Sequence, residues 1–385
     1  MDPATGGRER PGSHPDRMPL RVGVIGCGLI AQVMHLPYLS ELSDRFSVEA
    51  ICDLSPAVLA AVGERFAVPK RVTRWQELLE LPLDAVLIAT PGSHAQPAIA
   101  AARAGLHVLV EKPMCFSPAE GRAMIAAARD ASVTLMVGNM KRFDPAVVRL
   151  TDELAATTGL RLVQVTTLEA PFRPYVHHVP LAVPAGDVDA DELELAMRTS
   201  DAALAEALPD SGVETRSIYH AVLLDTLIHE LNLLRGFLGD PTGIRHARVT
   251  AEAATIELEF DGVAAVITWV DLPGITRYQQ DLRFYAPDRR LRLSFASPFL
   301  RNAPTELVIE GGDVGSPRSW ATREVVAYEE AFKLELIEFA DSIAEHRAPR
   351  TTGEDGLADV ELCVEIIDAM QAGGPVRRLP TESEV

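Results

Sequence analysis

Positive charge is scarce in this chain. Its 385 residues carry 36 Lys and Arg against 55 Asp and Glu, a formal net charge of −19. Nucleic acids and anionic membrane surfaces are held by basic patches, so both are excluded as partner classes. Cysteine is sparse too. The four thiols, Cys27, Cys52, Cys115 and Cys363, lie far apart and form neither a metal-ligand nor a disulfide pattern. They read as reduced thiols of a cytoplasmic protein. No apolar run is long enough to span a bilayer. Residues 1–18 are rich in Pro, Gly, Arg and Asp and lack the apolar centre of a leader, so a loose tail is expected there.

What is present is a βα rhythm that begins at Leu20. Leu20, Val22, Val24 and Ile25 read as a short buried strand, followed by Gly26-Cys27-Gly28-Leu29-Ile30-Ala31. This is the glycine-rich dinucleotide fingerprint in the form that ends in Ala. Gly26 permits the tight turn, Gly28 lets a pyrophosphate approach the backbone, and Ala31 lets the following helix pack close. Free N–H groups and the positive dipole end of that helix then face the phosphates. A second strand ends at Asp53, an acidic residue placed to accept ribose hydroxyls and to repel the extra phosphate of NADP. NAD is therefore the expected cofactor and NADP the less expected one. Ser55-Pro56, Thr73 with Gln76, and Ser117 with Glu120 read as helix starts, the last two as capping boxes. Thr90-Pro91 with His94 forms a loop at a strand's carboxyl end, where doubly wound sheets bind ligands.

The alternation predicts a parallel sheet with helices on both faces over residues 19–140. Beyond 141 the pattern becomes antiparallel. Ile256, Leu258 and Phe260 alternate with polar residues, and Asp261-Gly262 is a hairpin turn into residues 263–270. The length and this change of rhythm give two domains, 19–140 and 141–385. Phe332, Leu336, Phe339 and Ile343 mark one amphipathic helix near the end, and Val360, Val364 and Ile367 mark another.

Two places carry chemistry. Lys112, at a strand end before Pro113, sits where an ammonium could hold a reacting oxygen and stabilise negative charge on it. Asp225 and His229 are four apart in an apolar helical stretch over residues 219–237, so they are expected on one face. A histidine there has the pKa range for proton transfer with an alcohol. Asp225 could orient the imidazole or bind a substrate hydroxyl, or the two could simply satisfy each other in a core. No metal site is expected, because no second His follows His229-Glu230 at metalloprotease spacing.

Together, Gly26-Cys27-Gly28, Thr90-Pro91 with His94, Glu111-Lys112-Pro113, Arg142-Phe143-Asp144-Pro145 and Asp225-x-x-x-His229 resemble the glucose–fructose oxidoreductase, inositol dehydrogenase and rhizopine-catabolism family, written Gfo/Idh/MocA. The resemblance implies an α/β fold: a Rossmann doubly wound parallel sheet, then an α/β domain with an open, mainly antiparallel sheet. It implies NAD- or NADP-dependent hydride transfer on a sugar, cyclitol or related polyol, and a homodimer or homotetramer. It places Lys112 and His229 at the catalytic centre with Asp225 beside them. The expected cofactor contacts are Gly26, Gly28, Leu29, Ile30, Asp53 and Thr90. Pro91, His94, Glu111, Lys112, Asn139 and Arg142 complete them. An enzyme that uses NAD only transiently, and a non-catalytic NAD-binding regulator, are the alternatives.

One region departs from the family pattern. Some residues 171–217 intervene before the helix bearing Asp225, with Arg173, Tyr175, His177 and His178 first and an acidic segment after. A helix is expected over residues 191–208. Loops of this length are functional or disordered. Joining two cleft-facing elements favours a lid over a solvated insertion, and makes those four residues substrate-contact candidates.

Overall fold

The computed structural model describes residues 18–313, 315–374 and 376–377. Almost all of the tail expected over residues 1–18 lies outside them. Six strands build the first sheet: β1 (Leu20–Ile25), β2 (Phe46–Cys52), β3 (Lys70–Val72), β4 (Ala85–Ile88), β5 (His107–Glu111) and β6 (Leu135–Gly138). All pair in parallel, in the order β3-β2-β1-β4-β5-β6. That is the Rossmann order, with its switch point between β1 and β4, where the strand ends open a crevice. Buried Val24, Ile51, Val86, Ile88, Val108 and Val110 leave no polar face on the central strands, as a sheet covered on both sides requires.

The second sheet has nine strands: β7 (Leu162–Glu169), β8 (Gly243–Val249), β9 (Ala253–Phe260), β10 (Val263–Asp271), β11 (Gln279–Tyr285), β12 (Arg289–Phe295), β13 (Glu306–Gly312), β14 (Ser319–Val325) and β15 (Val376–Arg377). Their order is β14-β13-β12-β11-β7-β10-β9-β8-β15, open at both edges. Every pair is antiparallel except β7 with β10. Ile256, Leu258, Phe260, Ile267, Leu282 and Leu293 face the core. The opposite face carries ion pairs such as Arg290–Glu310 at 2.8 Å and Arg323–Glu306 at 2.8 Å.

The two halves interlock. Helices Ala331–Glu345 and Gly353–Ala372 return from the C-terminal end to pack on the first sheet and its helices. Val137 of β6 donates its N–H to Thr351 O at 2.9 Å and accepts from the Thr351 hydroxyl at 2.7 Å. The edge of the parallel sheet is thus closed by chain from far beyond residue 140.

Side-chain caps account for several helix starts. Ser55 accepts from Val58 N–H, and Ser117 with Glu120 forms both halves of a capping box. Thr73 with Gln76 does not. That helix starts at Trp75 with Arg74 as its cap and no side-chain bond, so Thr73 lies one residue too early. The insertion does hold a helix, Ala190–Ala207, capped by Asp189.

Candidate functional site

At the switch point the glycine turn has the shape a dinucleotide needs. Gly26 has φ +94°, and a Cβ there would lie 2.5 Å from Ala89 O, so only glycine fits. Around Gly28 a Cβ would meet nothing within 4 Å, so that backbone is open to an approaching ligand. Leu29 and Ile30 begin the helix, whose first N–H groups have no partner within it. These residues fit a dinucleotide pyrophosphate. Thr90 and Pro91 follow β4 across the same crevice. Asp53 holds this corner together: one carboxylate oxygen accepts from Cys27 N–H at 3.0 Å and the other from Ser55 N–H at 2.9 Å. Each oxygen keeps a lone pair for a ribose hydroxyl.

Across the crevice, Lys112 directly follows β5, and the Lys112–Pro113 bond after it is cis. Its ammonium donates to Asp225 O at 2.6 Å and to Asp225 Oδ1 at 3.2 Å. This corrects the expected Asp225–His229 pairing. Residues 219–227 are wound as a π-helix, with i→i+5 bonding, so spacing by four no longer brings the two side chains onto one buried face. Asp225 is exposed and serves the lysine, and no hydrogen bond joins it to His229. His229 begins the helix Ile228–Leu238. Burial holds its pKa well below the ordinary value, with Lys112 and Lys141 acting in the same direction. The imidazole is therefore neutral at physiological pH and able to accept a proton.

A buried polar floor lies behind His229, and sequence reasoning missed it. Lys141 donates to Gln280 Oε1 at 2.5 Å. Thr167 and Gln280 both donate to Glu230 Oε1, at 2.6 and 2.5 Å. Burial lowers the Lys141 pKa, while Glu230 and Glu169 oppose that shift. Burial, then Glu230, raises the pKa of Glu169. The only signal in the sequence was the position of Lys141 just beyond β6.

Several expected cofactor contacts turn inward instead. His94 is 2% exposed, with its ring nitrogens 2.8 Å from Pro113 O and 2.9 Å from Thr90 O. It braces two loops rather than facing the groove. Burial lowers its pKa against the pull of both carbonyls, and a neutral ring donates to one of them. Asn139 donates to buried Asp359 at 3.2 Å. Arg142 lies against Gly236, 3.8 Å from Asp355 and 3.4 Å from Asn232 O. Both residues belong to a junction between the halves. Of the substrate candidates, only Tyr175 is tied to the second sheet's approach: its hydroxyl donates to Thr276 O at 2.6 Å and accepts from Tyr278 N–H at 2.8 Å. Arg173, His177 and His178 are exposed.

Glu111 also faces inward. Its Oε1 lies 2.6 Å from His35 Nε2, and its Oε2 accepts from Lys112 N–H. Fully buried Glu335 completes the cluster, and the ligand-type atoms of the three lie within 4.8 Å of one another. This trio was not singled out in the sequence. Neither Glu335 oxygen has a hydrogen-bond partner. Burial, then the Glu111 charge, holds its pKa well above the ordinary 4.5, so the carboxyl stays protonated. A folded-state pKa raised in this way stabilises fully below 4.5 and loses that contribution as pH rises towards the folded-state value. Glu335→Gln, neutral at every pH, is expected to flatten the fall of the thermal midpoint with rising pH. Parallel slopes for the two proteins in a midpoint-against-pH series would contradict this.

Comparison with known proteins agrees with this architecture. Residues 20–139 match an oxidoreductase family described by its NAD-binding Rossmann fold. Over 340 residues the chain is 27% identical to a myo-inositol 2-dehydrogenase of Thermotoga maritima, covering 88% of this chain and 92% of that protein. It is 26% identical over 369 residues to a D-xylose 1-dehydrogenase (NADP(+)) of Haloferax volcanii, covering 92% and 98%. In fold it resembles the crystal structure of an oxidoreductase domain protein from Kribbella flavida, with TM-score 0.72 and 19% identity over 94% of this chain and all of that one.

Proposed function

The chain belongs to the Gfo/Idh/MocA oxidoreductases, and on that premise we propose that it is an NAD-dependent dehydrogenase of a sugar, cyclitol or related polyol. The observation that carries the catalytic part of this reading is the Lys112–Asp225 pair beside a neutral His229. A nicotinamide dinucleotide, when bound, supplies the hydride acceptor or donor. Gly26, Gly28 and the first turn at Leu29 and Ile30 hold its phosphates, and Asp53 takes the ribose hydroxyls.

His229 accepts the proton of the substrate hydroxyl and returns it in reduction. Lys112 binds the same oxygen and stabilises the charge on it, while Asp225 fixes where the ammonium points. Asp225 is thus a positioning residue for Lys112. The acidic corner at Asp53 favours NAD over NADP. The boundary near residue 140 is a change in sheet type, and a homo-oligomer through the open face of the second sheet belongs to the same reading.

The test is reduced-cofactor formation from NAD across free sugars, inositols and sugar acids, with Lys112→Ala alongside. Turnover on one group is expected, with kcat/KM lowered about 10²–10³-fold in the variant. Silence of the wild type on every group, with NADH still bound, would favour a conjugated substrate or transient redox chemistry over this reading.

A further inference from the structure

The insertion does not stand off in solvent. Its first part is bonded to residues beside the glycine turn. Pro180 O accepts from Arg65 at 3.3 Å. Ala182 exchanges two hydrogen bonds with the Gln32 side chain, at 2.8 and 2.9 Å. The same Gln32 amide donates to Cys27 O at 2.8 Å. The strap is thereby stitched to the turn that would hold the pyrophosphate.

It ends at Asp187, which reaches the corner already held by Asp53. Asp187 Oδ1 accepts from the Ser55 hydroxyl at 2.7 Å, and Oδ2 accepts from Ala57 N–H at 2.6 Å. Ser55 is fully buried between the two acids, giving its N–H to Asp53 and its O–H to Asp187. Pro56 has no N–H, so Ala57 supplies the first donor of the helix Pro56–Arg65, and this carboxylate takes it, while Val58 N–H goes to the Ser55 hydroxyl oxygen. These hydrogen bonds, Ala57 N–H first, hold the Asp187 pKa below its ordinary value. The corner that faces the adenosine ribose therefore carries two carboxylates, and the second comes from 132 residues away in the chain.

We propose that Asp187 is a specificity-determining residue: it locks the strap over the adenosine end of the groove and selects a dinucleotide without a 2′-phosphate. This rests on the reading of the groove as a nicotinamide-dinucleotide site with Asp53 at the ribose. A 2′-phosphate at that corner would meet a second fixed negative charge and would have to displace the strap from Ser55 and Ala57. A dinucleotide with a free 2′-hydroxyl leaves both contacts in place.

The experiment measures NADH and NADPH dissociation constants on the full chain by nicotinamide fluorescence, for wild type, Asp187→Asn and Asp187→Ala. Asn removes the charge and keeps an acceptor for Ala57 N–H; Ala removes the tie as well. Wild type is expected to prefer NADH. Both variants are expected to shrink the NADPH-to-NADH ratio of dissociation constants at least about fivefold. Asp187→Ala is also expected to release NADH faster in stopped flow. An unchanged ratio in both variants overturns the proposal while leaving the dehydrogenase reading intact. Loss of both dinucleotides in both variants overturns it too, since Asp187 would then serve binding without choice. A wild type that binds neither cofactor overturns the proposal and the reading together.

Discussion

Replacing His229 with alanine is expected to cut kcat by about 10²–10⁴-fold, the usual worth of a positioned general base. The NADH dissociation constant is expected to stay within about twofold, because no hydrogen bond links His229 to the glycine turn or Asp53. The pH dependence makes the test sharper. Oxidation needs the neutral imidazole, and burial with the Lys112 and Lys141 charges moves its pKa well below 6.5. The acid limb of kcat/KM for oxidation therefore lies below that ordinary value and disappears in the variant. Reduction needs the protonated ring, so its rate rises as pH falls through the same range. Turnover within about threefold of wild type would remove His229 from the mechanism.

The largest stability loss is expected at Arg235. Its guanidinium lies 2.5 Å from fully buried Asp359, 2.6 Å from Asp240 and 3.4 Å from Asp355. Asn232 and Asn139 also donate to Asp359. Burial pushes the Asp359 pKa up to about 7 even with the arginine pulling it down. Without Arg235 the carboxylate has no cation to oppose that burial. Arg235→Met is expected to cost about 3–5 kcal/mol, the loss seen when one member of a buried ion pair is removed. It would appear as a thermal midpoint lower by roughly 4–6 °C. Asp359→Asn in the same chain removes the stranded charge and is expected to restore about half of the loss. A single variant as stable as wild type, or a double variant no better than the single one, would show that the network does not carry the junction.

Much of the parallel half was legible because its signals are local. Val24, Ile25 and Gly26 declare a buried strand and a turn only glycine permits. Ser117 with Glu120 declares a helix start. What was missed depended on tertiary context. β3 is three residues long, and β14 is exposed at nearly every position, so neither shows an apolar face. The Asp225–His229 expectation failed because a 3.6-residue period was applied where the chain is π-wound. His94, Asn139 and Arg142 were assigned to the groove from their place near strand ends. Their side chains answer partners up to 220 residues away, which no local pattern encodes. The insertion's helix was legible; the bonds that fasten Ala182 and Asp187 to the first domain were not.

The closure of β6 by Thr351 has a consequence for the order in which the protein can be made. The two residues joined there are 214 positions apart. A ribosome releases the whole parallel sheet long before it synthesises the segment that covers the last strand. Through that interval the nascent chain presents an unpaired strand edge, the feature most open to pairing with a neighbouring chain. Its last hydrogen bonds wait until Thr351 has been made, so the parallel sheet is finished only after β7 to β14 of the second sheet have been synthesised.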